Sequence, residues 1–170
     1  MDASLDEIFP QVRKAYVRAV SEDFPAFLDS IDLSTPLNAS PYLVGLTEFV
    51  TRQRDPGRDQ LVARLQDALN NLRDMGANPQ ALLIGGSFLD STQTPHDLDC
   101  VVYYESETRP SGLARWQLKQ HDRGLDLRLV PIDSDPILVL KMTLFFGALY
   151  GRGRGALPAL RGTLLVDCGR

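Results

Sequence analysis

Two cysteines and two histidines are all that this 170-residue chain offers a soft metal. A thiolate zinc site or a disulfide scaffold needs more, so neither is expected. Cys100 and Cys168 therefore read as reduced thiols, and the expected compartment is the cytoplasm. No stretch approaches the ~18 uninterrupted apolar residues of a membrane helix. The longest apolar run, over 137–150, is broken by Lys141 and Thr143. The start, Met-Asp-Ala-Ser-Leu-Asp-Glu, has neither the basic residues nor the apolar run of a signal peptide. Excess positive charge is also missing. The formal net charge is −4, which argues against tight non-specific binding to extended nucleic acid. That charge is unevenly spread: residues 1–140 carry 13 basic and 21 acidic side chains, residues 141–170 five basic and one acidic. A hard-metal site built from oxygen ligands stays open.

What is present is ordinary for a globular protein. Apolar residues make up 44% and charged residues 24%, which excludes disordered and fibrous classes. The length suits one core with room for a helical appendage. Leu5, Ile8, Val12, Tyr16 and Ala19 recur at helical spacing over 4–20, where Pro10 is placed to kink the helix or delay its start, and 32–41 reads as a loop. Ser40-Pro41 reads as a cap and first-turn proline for a helix through about Arg52, and Asp55-Pro56-Gly57 as a turn. Leu61, Leu65, Leu69 and Leu72 predict a helix over 58–75, closed by Gly76.

After Pro79 the period changes. Short strands are predicted at Ala81–Ile84, Leu98–Tyr104 and Leu125–Val130, with a further short one at Leu164–Val166. Helices are predicted over 111–121 and, mostly apolar and buried, over 135–150. The expected fold class is α+β or α/β: a small mixed sheet, centred on residues 80–131, with helices packed on it. Residues 1–39 form an expected N-terminal helical extension, and 40–170 the main domain. Residues 1–75 hold no set of carboxylates, histidines or cysteines with catalytic spacing. The apolar positions of the extension, with Phe24, Phe27 and Leu28, suit self-association, the docking of a partner or simple covering of the core.

Three features carry chemistry. Ile84-Gly85-Gly86-Ser87 is a strand that runs into a glycine turn, where backbone N–H groups can approach an anion closely. Asp97-Leu98-Asp99 opens a strand, and i and i+2 share a face, so the two carboxylates project together. Such a pair repels unless a proton or a cation intervenes, and Mg²⁺ suits carboxylates that share an ion with phosphate oxygens. Asp126 stands alone in an alternating strand, opposite in parity to Leu125, Leu127 and Leu129. Taken singly, each has a plainer reading as a turn, a solvated strand start or a solvent-face acid. Tyr103, Tyr104, Phe145, Phe146, Tyr150 and Trp116 read as core rather than as a base-stacking platform, and His96 as a turn residue.

Order and spacing raise the weight of these features. Gly86-Ser87, nine residues, Asp97-Leu98-Asp99 and then Asp126 in a later strand resemble the nucleotidyltransferase superfamily related to DNA polymerase β. Ser40-Pro41-Tyr42, Gly86-Ser87-Phe88, Phe145 to Tyr150 and Arg161-Gly162 extend the likeness to a largely uncharacterised bacterial family of nucleotidyltransferase-like domains. The resemblance covers about residues 40–166. It implies that Gly86 and Ser87 hold the triphosphate of a nucleoside triphosphate, such as ATP. It also implies that Asp97, Asp99 and Asp126 bind two Mg²⁺ ions and carry catalysis, Asp126 helping to deprotonate an acceptor hydroxyl. Lys141 has two readings, a nucleotide phosphate partner or a snorkelling lysine. Asp90, soon after Gly86-Ser87, departs from the pattern, because an acid facing inward there repels a triphosphate. By analogy with small relatives, the competing expectation is a non-catalytic antitoxin or binding module that meets a toxin.

Overall fold

A computed structural model describes residues 40–52, 54–90, 92–108, 110–152 and 162–169. The helix expected over 4–20, and with it the extension of residues 1–39, lies outside the described residues. The described part is α+β: a five-stranded mixed sheet with four helices. The elements in order are β1 Tyr42–Gly45, α1 Leu46–Thr51, α2 Pro56–Asp74, β2 Asn78–Gly85, β3 Leu98–Glu105, α3 Leu113–His121, β4 Leu125–Pro131, α4 Pro136–Tyr150 and β5 Leu164–Asp167. A single 3₁₀ turn, Gly86–Leu89, follows β2.

The sheet order is β1-β5-β2-β3-β4. The outer pairs β1–β5 and β3–β4 are parallel, and the two inner pairings are antiparallel. One face carries Tyr42, Val44, Leu82, Ile84, Leu98, Cys100, Val102, Leu125, Leu127, Leu164 and Val166, which pack with Phe49, Trp116 and the buried stripe of α2. That stripe is Leu61, Val62, Leu65, Ala68, Leu69 and Leu72. Each such side chain contributes on the order of 1.5–3 kcal/mol when fully buried, so this face is the main core. On the other face Leu83, Val101, Tyr103 and Val130 meet Phe146 and Tyr150 of α4. The Tyr103 hydroxyl donates to Thr143 Oγ1 at 2.9 Å, and Thr143 in turn donates to the Val139 carbonyl at 2.8 Å. This relay ties α4 to the middle of β3.

Three expectations change. Tyr42–Gly45 is a strand, not the first turn of a helix, because its alternate residues Tyr42 and Val44 are buried while its backbone pairs with β5, so the tertiary ladder overrides the local cap signal. Asp55-Pro56-Gly57 is a helix start rather than a free turn. The Asp55 carboxylate accepts from the Gly57 and Arg58 N–H groups, both at 3.1 Å, and Pro56 takes the first helical position. Finally, α4 is not a buried helix. Ile137, Leu138, Leu140, Leu144, Phe145 and Leu149 are 45–71% exposed. Phe145 is thereby removed from the expected core, whereas Tyr103, Tyr104, Phe146, Tyr150 and Trp116 belong to it.

Candidate functional site

The parallel ladder between β3 and β4 sets Asp99 directly opposite Asp126. Partners across a sheet lie about 4.8 Å apart and share a face. The neighbouring pairs agree: Leu98 and Leu125 both enter the main core, and Tyr103 and Val130 both face α4. Asp99 and Asp126 therefore stand side by side on the α4 face, at the end of the sheet where β3 and β4 begin. Asp97 precedes the first residue of β3 in a bend and is partly exposed, one pleat before Asp99. Among the described residues, no three His, Cys, Asp or Glu side chains are gathered as a ready-made metal cage. Mg²⁺ does not need one, since it is commonly held by one or two carboxylates and completed by water and substrate phosphates. The pair Asp99 and Asp126 fits that requirement.

The glycine turn is built around the same carboxylate. Gly85 is the register partner of Asp99 across β2 and β3. Gly86 has φ +70°, a backbone region that side chains strain to adopt, and a Cβ built on it would lie 2.0 Å from Asp99 Oδ2. At Gly85 the obstacle is different: a Cβ there would lie 2.4 Å from the Cβ of Tyr150. Two adjacent glycines thus let a strand end approach a carboxylate on one side and the last residue of α4 on the other. Phe88 anchors the turn from below. It is buried in the main core, with its ring centroid 6.2 Å from that of Phe49. Ser87 lies between these anchors, half-buried.

Arg58 of α2 holds the rest of the loop. Its guanidinium donates to the carbonyls of Phe88 at 2.8 Å, Asp90 at 2.5 Å and Gln93 at 2.8 Å, and pairs with Asp55. Asp90, the suspect acid, is engaged locally. Its Oδ1 accepts from the Thr92 N–H at 3.0 Å and the Thr92 hydroxyl at 2.5 Å, and its Oδ2 from the Gln93 side chain. An aspartate closing a turn in this way is a common turn chemistry.

Two further residues meet the carboxylate pair, and neither stood out in the sequence as a site residue. Arg128 Nη2 lies 3.0 Å from Asp126 Oδ1 and 3.1 Å from Oδ2. It stands two residues along the same strand face, a spacing that parity alone reveals once β4 is accepted as a strand. Tyr150 is 5% exposed, and its phenol is held well above its ordinary ionisation range by burial first. The negative charges of Asp99 and Asp126 add to that, while Arg128 opposes it. Both acids are therefore near enough for Tyr150 to feel them.

Lys141 is not gathered with these groups. Val139, Met142, Phe146 and Tyr150 form the stripe of α4 against the sheet, whereas Lys141 shares the exposed side with Ile137, Leu144 and Phe145. It also lies nine residues, about 13 Å of helix, before Tyr150. His96 is exposed in a bend. A groove of about 710 Å³ opens at the opposite end of the sheet, among Tyr104, Gly112, Gln117, Leu129 and Asp133.

Among the described residues, no helix is long and apolar enough to cross a membrane. No curated protein and no solved structure matches the chain. Residues 33–159, which span β1 through α4, match the model described as a family of unknown function, DUF6932, and the chain belongs to that family.

Proposed function

We propose that the protein is a Mg²⁺-dependent nucleotidyltransferase that moves a nucleoside monophosphate from a nucleoside triphosphate, ATP first among them, to an acceptor hydroxyl, with pyrophosphate as the leaving group. The observation that carries this reading is the packing of the Gly85-Gly86 turn onto Asp99, with Asp126 beside it in register. A phosphate-sized ligand on that turn would lie against both carboxylates. Bound divalent ions, of which two are expected, neutralise phosphate oxygens and ease loss of the acceptor's proton. Asp99 and Asp126 would hold them, with Asp97 completing the set from the bend before β3. The backbone at Gly86 and Ser87 would orient the triphosphate, and Asp126 would accept the acceptor's proton at its carboxylate oxygen. Phe88 and Arg58 keep the turn preorganised, which limits the reorganisation needed at the moment of transfer. Lys141 enters this reading only if the helix or the ligand brings a phosphate to the exposed side of α4. Asp90 is no obstacle, because its carboxylate is already committed to its own turn.

A second reading has its own observation. Arg128 already neutralises Asp126 on both oxygens. A protein that keeps the fold but not the chemistry, as an antitoxin or a binding module for a toxin, can satisfy its carboxylates in this manner. A cytoplasmic setting suits both readings.

The deciding experiment incubates the full chain with labelled ATP, CTP, GTP and UTP, Mg²⁺ and cell lysate, and identifies every labelled species. Transfer by the native protein that is lost in both Asp99→Asn and Asp126→Asn supports the enzyme. If no nucleoside triphosphate shifts the thermal unfolding of the native protein at millimolar Mg²⁺, the binding-module reading replaces it. Saturation at 100 times Kd stabilises by ~2.7 kcal/mol, a shift readily seen in a domain of this size.

A further inference from the structure

Gly85, Asp99 and Asp126 are register partners across β2, β3 and β4, so they form one row of the sheet on the α4 side. Gly85 brings no side chain to that row, and Tyr150 takes the space. A Cβ on Gly85 would lie 2.4 Å from the Tyr150 Cβ, 2.8 Å from its Cγ and 3.1 Å from its Cδ2. Behind this row, Leu83 and Val101 share one apolar cluster with Tyr150 and Phe146, whose ring centroids lie 5.7 Å apart. The Tyr150 ring is therefore held over the end of β2, in the row of the two acids.

Packing accounts for the ring but not for its oxygen. Tyr150 is 5% exposed, and among the described residues its hydroxyl makes no hydrogen bond. The oxygen is not sealed off, so a ligand can reach it. Tyr103, on the same face, shows the usual outcome for a phenol this deep in the fold: its hydroxyl donates to Thr143 Oγ1 at 2.9 Å. Tyr150 thus carries an unused donor at the edge of the carboxylate pair. Burial first, then the charges of Asp99 and Asp126, keep that phenol protonated far beyond neutral pH. A phenol that keeps its proton is neither a general base nor a good metal ligand. It is a hydrogen-bond donor.

We propose that Tyr150 is a substrate-binding residue of this site, its phenol O–H donating to a non-bridging phosphate oxygen of the metal-bound triphosphate. The inference rests on the nucleotidyltransferase reading above and adds to it a residue from α4, an element that reading leaves without a role in the ligand's contacts. The chemistry selects phosphate. Ions held by Asp99 and Asp126 bring anionic oxygens to the row where the free donor stands, and a neutral donor to an anionic oxygen forms one of the stronger hydrogen bonds. The metal itself has no use for the group, because the carboxylates supply its protein ligands. The absent side chain at Gly85 then has two consequences: it lets the turn close on the sheet, and it admits the ring that carries the donor.

The test compares the full native chain with Tyr150→Phe, which removes one oxygen and keeps the ring against Gly85. The probes are magnesium ATP, magnesium tripolyphosphate and Mn²⁺ alone, each followed by titration calorimetry. Both polyphosphates should bind the variant roughly tenfold more weakly, the loss of one hydrogen bond to a charged group, while Mn²⁺ alone binds as before. Tyr103→Phe, the control on the same face, should bind both polyphosphates as the native chain does. Equal binding of ATP by Tyr150→Phe and the native chain overturns the proposal and leaves the nucleotidyltransferase reading standing. Weaker binding of ATP with tripolyphosphate unchanged also overturns it, since the hydroxyl then meets the sugar or base. Weaker binding of Mn²⁺ alone overturns it in favour of a role in placing the carboxylates. If the native chain binds neither polyphosphate at millimolar Mg²⁺, the nucleotidyltransferase reading fails and this inference with it. A measurement on the native chain needs no variant to fold. With carbon-13 at tyrosine Cζ, the Tyr150 resonance should move when tripolyphosphate is added to the Mg²⁺-loaded protein, and a resonance that stays in place while tripolyphosphate binds overturns the proposal.

Discussion

Gly86 and Asp99 are in contact across the end of the sheet: no atom larger than hydrogen fits on the Gly86 Cα without displacing the Asp99 carboxylate. The turn and the acid are therefore one unit. Gly76 offers a control, since its φ is +81° and nothing lies within 4 Å of where its Cβ would be. Both alanine variants bear the strain of a left-handed backbone, roughly 1–3 kcal/mol. Gly86→Ala should lose clearly more stability than Gly76→Ala by chemical denaturation, and Gly86→Ala combined with Asp99→Ala should recover part of the difference. Equal losses would show that the contact is absent in solution.

Arg58 satisfies three loop carbonyls from a largely buried position, with 12% of its side chain exposed. Arg58→Ala should cost about 2–3 kcal/mol, because hydrogen bonds from a charged donor are lost and their acceptors left behind. Amide exchange over 86–93 should accelerate more than that over α2. Arg58→Lys should rescue only in part, since an ammonium cannot reproduce the planar fork. Uniform acceleration across the whole domain would mean that Arg58 serves the core rather than the loop.

Removal of Arg128 separates stability from ion binding. The Arg128–Asp126 pair is partly exposed, at 48% and 26%, so its worth to stability is about 0–1 kcal/mol. Arg128→Gln should therefore melt within a few degrees of the native protein. It should also bind Mg²⁺ or Mn²⁺ several-fold more tightly, because the competing cation is gone. Weaker binding by titration calorimetry would instead make Arg128 part of the anion-holding surface.

Alkaline stability follows from the buried acids. Burial pushes the Cys100 thiol well up, and raises Cys168 to about 11 with Arg73 opposing and Asp167 adding. The phenols of Tyr103 and Tyr150 are raised as well, burial first. Each group keeps its proton longer in the folded chain than in the unfolded one. Stability is then constant below the ordinary values of 9.0 and 10.0 and falls as pH rises beyond them. The slope is about 1.4 kcal/mol per pH unit for each proton so retained. The urea midpoint should decline between pH 9 and 11, less steeply in Cys168→Ser. A midpoint unchanged to pH 11 would contradict it.

Local pattern already contained most of the strand and helix inventory. The leucine spacing of α2, the alternation in β4 with Asp126 opposite the leucines, and the apolar run of β3 each depend on a few adjacent residues, so they were readable without a fold. Asp97, Asp99, Asp126, Gly86 and Ser87 stand out as candidates for the same reason: a motif at fixed spacing needs no long-range information. What spacing could not supply is which strand lies beside which. The parallel register that sets Asp99 against Asp126, the approach of Tyr150 to Gly85, and the capture of Asp126 by Arg128 all arise from pairings between distant segments. Tyr42–Gly45 became a strand because β5, more than a hundred residues later, supplies its ladder partner. Lys141 was separated from the carboxylates by the rotation of one helix. The narrow stripe of Val139, Met142, Phe146 and Tyr150 won the sheet, and an almost uniformly apolar helix carries no sequence signal for which side will do so.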